Sequence, residues 1–380
     1  MKDRFLEALK EEIVGRNDYF MRGRLRVKPA MTPTHNDGHD DSINTIYFGG
    51  GTPSLLSATE IGEVLHLINM HYPVATDAEI TLEANPDTLS LEYLQALHAL
   101  GINRLSIGIQ SFFDKDLQYL GRKHDAQHAR QCLDWAKQAG FGNISIDLIY
   151  GLPTSNAEQW NRNLDLFFSY GLPHLSAYAL TLEPNSILTK QIELGKALPV
   201  NDEDALRDYD ILCRRAKEKG YLHYEISNFC QRGMHSKHNA SYWFGTPYLG
   251  LGPSAHSFDG NSRQWNVSSV EKYCETVRVS TSSTTATRVP EPVEGPDFEK
   301  EELTLEQRYD EYVMLRLRTH WGIDLIWLKR EMGERFSDYC EQHAQPLVAQ
   351  GRLSQTREFL YLNDQQMLFA DGVAEELFWE

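Results

Sequence analysis

Between residues 44 and 180 the chain alternates short β-branched and apolar runs with segments of helical periodicity, and this alternation constrains the fold most strongly. It predicts strands at 44–48, 79–83, 104–109, 144–149 and 174–180. Helices are predicted between them, at 57–70, 90–100, 126–138 and 156–169. Strands separated by helices of this length are typical of a parallel sheet. The sequence therefore predicts an α/β fold, a barrel or partial barrel that carries its site at the carboxyl ends of the strands.

The first predicted strand ends in three consecutive glycines, Gly49, Gly50 and Gly51. Glycine costs conformational entropy on folding, so a glycine at such a position usually serves to let another group approach the backbone closely. Exposed N–H groups at a strand end can hold a carboxylate or a phosphate. The alternative is a tight turn before the next helix, whose start is marked by the capping-box sequence Ser57–Glu60.

Polar side chains stand at or just after the ends of the following strands: Glu83, Gln110, Arg122 and Asp147. In a barrel these positions converge on one mouth. The carboxylates could accept bonds from a ribose or an ammonium group, and the arginine fork could clamp a carboxylate. Singly, each is more often a structural ion pair or an exposed residue. As a set beside the glycines, they predict a pocket for a small zwitterionic, nucleoside-like ligand.

A second cluster is the run His238-Asn239-Ala240-Ser241-Tyr242-Trp243. A histidine among aromatic residues could be an axial ligand of haem iron, with aromatic walls against the macrocycle. From residue types alone, a hydrogen-bonded histidine inside a packed loop is the favoured alternative. His235 and His256 are rival ligand candidates nearby.

The composition excludes several classes of function. A formal net charge of −17 argues against general binding of nucleic acid or anionic membranes. No apolar run approaches about 18 residues, so no membrane span is predicted. An amphipathic helix at 3–20 argues against a secretory signal. The five cysteines are far apart without a Cys-x-x-Cys pair, which fits a reducing cytoplasm and offers no ready metal framework.

The chain is predicted to divide into two folded parts. Residues 1–275 form the barrel, with a polar loop at 23–42, a short strand at 224–228 and the histidine-rich loop at about 231–258. The segment 276–305 is rich in Ser and Thr and then in Pro and Glu, as is typical of a disordered linker or insertion. Residues 306–380 are predicted to be a small, mainly helical, winged-helix-like domain with a hairpin at 352–362.

Several motifs together resemble one family. They are IYFGGGTPSL from Ile46, TLEANPDT from Thr81, GINRLSIGIQSF from Gly101, LGRKH from Leu120, SIDLIYGLP from Ser145, LSAYALTLEPN from Leu175, and the stretch Tyr224–Gly252. The chain closely resembles the haem chaperones of the HemW type, which are radical S-adenosylmethionine proteins related to oxygen-independent coproporphyrinogen III oxidase. The resemblance covers nearly everything except 23–42 and 276–305. The HNxxYW motif favours the chaperones over the oxidase.

The resemblance implies a partial (β/α)6 TIM-like barrel followed by a small C-terminal domain. It implies that S-adenosylmethionine is contacted by Gly50, Gly51, Thr52, Glu83, Gln110, Arg122, Asp147 and Ala179. It implies that His238 binds haem, with Asn239 and Tyr242 completing the motif. It also implies a cytoplasmic protein that passes haem to membrane proteins such as respiratory enzymes, and it leaves a homodimer open.

The chain departs from the family pattern at its start. The family carries Cys-x3-Cys-x2-Cys just after its first strand, and those thiolates hold a [4Fe–4S] cluster. Here that strand and all three cysteines are absent, so the expectation is a barrel that lacks its first strand and an exposed sheet edge. Either the reading frame starts too late or the cluster has been lost. The first is favoured because the positions implied to contact S-adenosylmethionine are intact.

Two other functions stay open. One is an oxygen-independent coproporphyrinogen III oxidase, which needs the cluster, so decarboxylation by the chain as written is not expected. The other is a degenerate barrel that serves only as a binding module.

Overall fold

A computed structural model describes residues 1–17, 19, 42–184, 186–282 and 298–380. Its centre is a run of five parallel strands in chain order, as the alternation predicts. They are β1 (Ile43–Phe48), β2 (Val74–Ala84), β3 (Arg104–Gln110), β4 (Asn143–Tyr150) and β5 (His174–Ala179). Because the strands are parallel and in register, their carboxyl ends share one edge of the sheet. The predicted loop at 23–42 lies outside the described residues except for Ser42.

Eight helices of the described part belong to this region, and six of them, all but the short helices at 114–119 and 187–193, contribute residues to the buried core on one face of the sheet. The eight are α1 (Lys2–Gly15), α2 (Ala58–His71), α3 (Leu91–Ala99), α4 (Asp114–Tyr119), α5 (Ala126–Gln138), α6 (Ala157–Ser169), α7 (Ile187–Glu193) and α8 (Asp202–Glu218). The capping box at Ser57 is confirmed. The Ser57 side chain accepts from the N–H of Glu60, and the Glu60 carboxylate accepts from the N–H of Ser57. The predictions missed α4 and α7 and extended α1 beyond its observed end. No helix in the described ranges is both long and apolar enough to cross a membrane.

Two antiparallel strands complete the sheet, which has seven strands in the described part of the chain and curls into a half-barrel. They are β6 (Leu222–Glu225) and β7 (Asn228–Cys230), with β7 between β5 and β6. The prediction of a single strand at 224–228 was therefore wrong. The chain reverses at Ile226 and Ser227, so the run that looked continuous is a hairpin.

The two faces of the half-barrel differ in polarity because side chains alternate along each strand. Toward the helices, apolar residues such as Leu82, Ile107 and Ile146 form a buried core with residues of α5 and α6. The opposite face is polar although largely buried. Its residues include Glu79, Thr81, Arg104, Ser145, His174 and Ser176. A polar face shielded from water is a place where a ligand can be held by hydrogen bonds.

A second, three-stranded sheet follows the half-barrel, after the short helix α9 (Lys237–Trp243). Its strands are β8 (His256–Phe258), β9 (Ser262–Asn266) and β10 (Phe298–Glu302), and α10 (Val270–Ser282) lies between the last two. The predicted linker at 276–305 is therefore wrong at both ends, because 276–282 belong to a helix and 298–302 pair with β9. Residues 283–297 lie outside the described part.

The C-terminal part has its own apolar core. Its elements are α11 (Leu305–Leu317), β11 (Ile323–Asp324), α12 (Leu325–Met332), α13 (Glu334–Ala349), β12 (Ser354–Gln355), β13 (Phe359–Tyr361) and α14 (Ala370–Glu375). The predicted hairpin is confirmed as β12 paired with β13. This part contacts β6, since His320 N–H donates to Tyr224 O and Ile226 N–H donates to Arg318 O.

Candidate functional site

The glycine turn after β1 surrounds the carboxylate of Glu83, at the end of β2. The Tyr47 hydroxyl donates to Glu83 Oε1 at 2.7 Å, and the Gly50 N–H donates to Glu83 Oε2 at 3.3 Å. A Cβ at Gly49 would lie only 2.6 Å from the Tyr47 ring, so that position must be glycine. Gly50 has φ +79°, a backbone conformation that favours glycine. The first two glycines thus shape the turn around Tyr47 and Glu83.

Gly51 and Thr52 border the same mouth. Gly51 is exposed, and an added Cβ would meet no atom within 4 Å. Thr52 Oγ1 accepts from Asn85 Nδ2 at 3.4 Å, which links the turn to the residue after β2. Gly51 therefore has no structural need to be glycine. This observation fits a position where a ligand approaches the backbone.

Gln110 ends β3 in a strained conformation. It is buried and has φ +66°, which is uncommon for a residue with a side chain. Gly108 lies two residues before it, and a Cβ there would be 2.8 Å from Gln110 Nε2 and 3.6 Å from Arg122 Nη2. Asn85 Oδ1 is 3.3 Å from the same point. Glycine at 108 therefore lets three polar side chains converge, and a glycine inside a strand is the sequence signal for such an approach.

Asp147 faces the same mouth from β4. Burial raises the pKa of its carboxyl to about 7, and the nearby charge of Glu83 acts in the same direction. A hydrogen bond from Ser176 and the charges of Arg104 and Arg122 partly oppose this shift. Burial also lowers the pKa of Arg122. Two carboxyl groups and a half-buried guanidinium can bind a ligand that carries both an ammonium group and a carboxylate.

Ala179 ends β5 and pairs with Tyr150 of β4. It is half-buried, and its small side chain leaves the edge of the sheet open. The structure thus places seven of the eight residues assigned to S-adenosylmethionine by resemblance at strand ends or in the turn after β1. The eighth, Arg122, follows α4, and its Nη2 lies 3.6 Å from a Cβ added at Gly108. We call five of these the cradle: Gly50, Glu83, Gln110, Arg122 and Asp147.

The His238 imidazole lies against β1, on the polar side of the sheet. Its Nδ1 is 2.9 Å from Thr45 Oγ1, and its Nε2 is 3.0 Å from the Tyr242 hydroxyl. The ring stacks on Tyr47, with centroids 4.6 Å apart and planes 17° from parallel. Burial, together with the charge of Arg104, lowers the pKa of His238 to about 4. The imidazole is therefore neutral at physiological pH, the form that binds a metal ion.

The N-terminus of α9 is anchored on Glu79 of β2. The buried Glu79 carboxylate accepts from the backbone N–H of His238 at 3.0 Å and of Lys237 at 3.2 Å. A carboxylate is favourable at this end of a helix because of the helix dipole. We call His238, Thr45, Tyr47, Glu79 and Tyr242 the His238 cluster. Sequence analysis missed Thr45, Tyr47 and Glu79 as its members.

The other residues of the histidine-rich loop are placed differently. Asn239 donates its backbone N–H to Ser236 Oγ, the N-cap of α9, at 3.2 Å. His235 contacts Trp321 of the C-terminal part, with ring centroids 6.2 Å apart. His256 stacks on Trp265 in the second sheet. Neither rival histidine belongs to the His238 cluster. Of the three histidines, His238 is the one that contacts β1 on the polar face of the sheet.

Arg104 is a buried cation on the polar face that the sequence did not single out. It is 1% exposed, and its Nε and Nη1 atoms have no hydrogen-bond partner among the described residues. Thr81, its neighbour in register on β2, also has a buried hydroxyl without a partner there. The charge of Arg104 favours the ionised form of Asp147 and the neutral form of His238.

The cysteines do not fit an iron–sulfur cluster. All five, Cys132, Cys213, Cys230, Cys274 and Cys340, are buried and unpaired, and they lie on five different elements. Burial raises the thiol pKa of Cys132, Cys213 and Cys230 to about 12, which disfavours the thiolate that binds metal. Within the described ranges, no three His, Cys, Asp or Glu side chains are grouped so that they could hold a metal ion.

Comparisons with known proteins show the family of the chain. Residues 36–167 match the family model of the Radical SAM superfamily, and residues 303–369 match that of the HemN C-terminal domain. "Heme chaperone HemW" from Mycobacterium tuberculosis H37Rv is 32% identical over 99% of this chain and 86% of its own length. The chain belongs to the HemW family. The Bacillus subtilis member is 31% identical over 87% of this chain and 84% of its own length.

The fold of this HemW family member is similar to a solved structure of a related protein. Coproporphyrinogen III oxidase (HemN) from Escherichia coli, described as a radical SAM enzyme, matches with a TM-score of 0.76 and 22% identity. The match covers 99% of this chain and 83% of that one. It confirms the predicted half-barrel with a small C-terminal helical domain.

Proposed function

We propose that this chain is a haem chaperone that binds haem through His238 and passes it to haem-requiring proteins. The single observation that carries the proposal is the setting of the His238 ring. Its Nδ1 faces Thr45 on a strand, whereas its Nε2 faces Tyr242, which is 39% exposed and can turn away. Rotation of Tyr242 would leave a neutral, oriented Nε2 free to bind the iron of haem.

A chaperone must also release its cargo. A single imidazole ligand, from the half-buried His238 on α9, leaves the opposite side of the iron open to a ligand from the acceptor. The Tyr242 hydroxyl can then return to Nε2 and satisfy it, so release does not leave a half-buried nitrogen unpaired. We propose cytoplasmic action and delivery to membrane proteins such as respiratory enzymes. The five unpaired thiols suit a reducing compartment.

The cradle fits S-adenosylmethionine, a zwitterion with an additional sulfonium charge. We propose that Glu83 accepts bonds from its ammonium group, that Arg122 faces its carboxylate, and that Gly50, Gly51 and Thr52 lie against its methionine part. Gln110, Asp147 and Ala179 complete the edge. When bound, this molecule would supply a positively charged sulfonium group beside the cradle carboxylates. The described cysteines do not fit a [4Fe–4S] cluster, so we assign no radical step to these residues.

A haem titration tests the proposed function. We expect ferric haem to bind the wild-type chain with a defined Soret band. His238→Ala should weaken the affinity at least tenfold, because the iron loses its protein ligand. His66→Ala, which removes an exposed histidine on α2, is the matched control and should bind like wild type. Equal affinities of wild type and His238→Ala would contradict the assignment of His238.

A transfer experiment tests the chaperone role itself. We expect the haem-loaded chain to convert an apo haem protein to its holo form faster than free haem at the same concentration does. A loaded chain that retains its haem in the presence of the acceptor would contradict delivery.

A further inference from the structure

Thr45 faces one nitrogen of the His238 ring and thereby affects which nitrogen can bind a metal. Two tautomers satisfy the observed bonds, because a threonine hydroxyl and a tyrosine hydroxyl can each donate or accept. Thr45 is held on β1, whereas Tyr242 is partly exposed on a short helix. Nε2 is therefore the nitrogen that can be freed, and Nδ1–H donating to Thr45 Oγ1 is the matching tautomer.

Tyr47 fixes the plane of the same ring. It stacks on the imidazole at a centroid distance of 4.6 Å. Its own orientation is set at the far end by the 2.7 Å bond from its hydroxyl to Glu83. The absence of a side chain at Gly49 leaves room for the Tyr47 ring, since a Cβ would approach Cε1 to 2.6 Å. The first glycine of the motif thus serves Tyr47 rather than a ligand.

The backbone of His238 is held separately from its ring. Glu79 accepts the His238 N–H at 3.0 Å, and Ser236 Oγ lies 3.5 Å from the same carboxylate. Three contacts from two adjacent strands therefore fix the backbone, the ring plane and the tautomer. If the His238 ring only filled space, its backbone, its plane and its tautomer would not each need a contact from a different side chain.

We propose that Thr45 and Tyr47 are positioning residues for haem, which hold the His238 imidazole with Nε2 as the iron-binding nitrogen. This inference rests on the proposed function, because it requires that His238 bind haem. It adds that the basicity and direction of the ligand are set by the edge strand of the half-barrel. A hydrogen bond from the remote N–H of a ligating histidine makes the histidine a stronger ligand, and its loss typically weakens metal binding about 10- to 100-fold.

The test combines haem affinity with the resonance Raman spectrum of the ferrous haem complex, in which the iron–histidine stretch reports ligand strength. We expect Thr45→Val to weaken haem binding at least tenfold and to lower the frequency of this stretch. Thr45→Ser keeps the hydroxyl and should restore both. Tyr47→Leu removes the stack and should broaden the band, and Tyr47→Phe keeps the ring and should have a smaller effect. Thermal unfolding of each variant shows whether the fold persists.

The outcomes separate this inference from the proposed function. If His238→Ala loses haem while Thr45→Val keeps the wild-type affinity and iron–histidine frequency, the positioning role is wrong and the function stands. If His238→Ala binds haem like wild type, the proposed ligand and this inference both fail. Loss of affinity in Thr45→Val without restoration in Thr45→Ser would assign Thr45 a packing role only, and would also overturn the inference.

Discussion

The cradle and the His238 cluster lie on the same half-barrel but are built in different ways. The cradle is assembled from residues at or just after successive strand ends, together with Arg122 from the segment after α4. Its shape depends on unusual backbone conformation, with positive φ at Gly50 and Gln110. The His238 cluster joins residues far apart in sequence, and none of its members has positive φ. Backbone conformation thus shapes the cradle, whereas hydrogen bonds between side chains shape the His238 cluster. A ligand can replace such hydrogen bonds.

Tyr47, a member of the His238 cluster, links the two regions, because its hydroxyl bonds to Glu83 of the cradle and its ring stacks on His238. A substitution that displaces Tyr47 should therefore affect both regions, whereas a substitution away from Tyr47 should affect only one.

The largest effect on stability is expected from Gly49→Ala. The new methyl group would overlap the Tyr47 ring, and we expect a loss of about 2 kcal/mol in the free energy of unfolding. Haem affinity should fall too, because the stacked ring is displaced. Gly51→Ala is the matched control, since its methyl group meets open space and should leave stability unchanged. Urea unfolding of both variants checks this, and equal stability of the two would show that the Tyr47 ring is not confined by Gly49.

A smaller effect, dependent on pH, is expected from Asp147→Asn. The folded-state pKa of Asp147, about 7, lies above its usual value of 3.8. The folded protein therefore holds a proton that the unfolded chain releases as pH rises above about 4. The stability due to this proton is fully present below pH 4 and is lost as pH rises through about 7.

We expect Asp147→Asn to gain about 1–2 kcal/mol over wild type between pH 4 and pH 8, since the amide cannot ionise. This gain is smaller than the full pKa shift implies, because Asp147 is only half-buried and solvent screens its charge. Urea unfolding across this pH range measures the difference. Parallel pH profiles of the two proteins would contradict the raised pKa of Asp147.

The smallest effect is expected from Gln110→Gly. Removing the side chain relieves the positive φ, and we expect a gain of about 1 kcal/mol in stability. Binding of S-adenosylmethionine should weaken, because the amide no longer faces the mouth. Gln110→Asn is the control that keeps an amide and tolerates this backbone region. A destabilised Gln110→Gly chain would show that the buried contacts of Gln110 outweigh its strain.

The same contrast explains which parts of the site the sequence could predict. Glu83, Gln110, Arg122 and Asp147 were predicted to meet because parallel strands bring their carboxyl ends to one edge. Thr45 and Glu79 could not be assigned to His238, because 193 and 159 residues separate them from it and only the packed loop brings them together. Gly108 did carry a signal, since glycine inside a strand indicates close approach.

The fold could be predicted where elements are long and periodic. The five parallel strands and the helices between them follow from that alternation. The hairpin at Ile226 and the three-residue strand β8 did not, because such short segments have too few residues to show a period. The ends of the predicted linker are ordered by tertiary contacts, as when β10 pairs with β9, and composition alone does not report these contacts.

Coordination of haem iron by His238 can be observed by electron–nuclear double resonance on the low-spin ferric haem complex. The chain would be labelled with ¹⁵N in histidine only. We expect one strongly coupled histidine nitrogen, present in wild type and in His66→Ala and absent in His238→Ala. A spectrum without such a nitrogen, or one that persists in His238→Ala, would contradict this coordination.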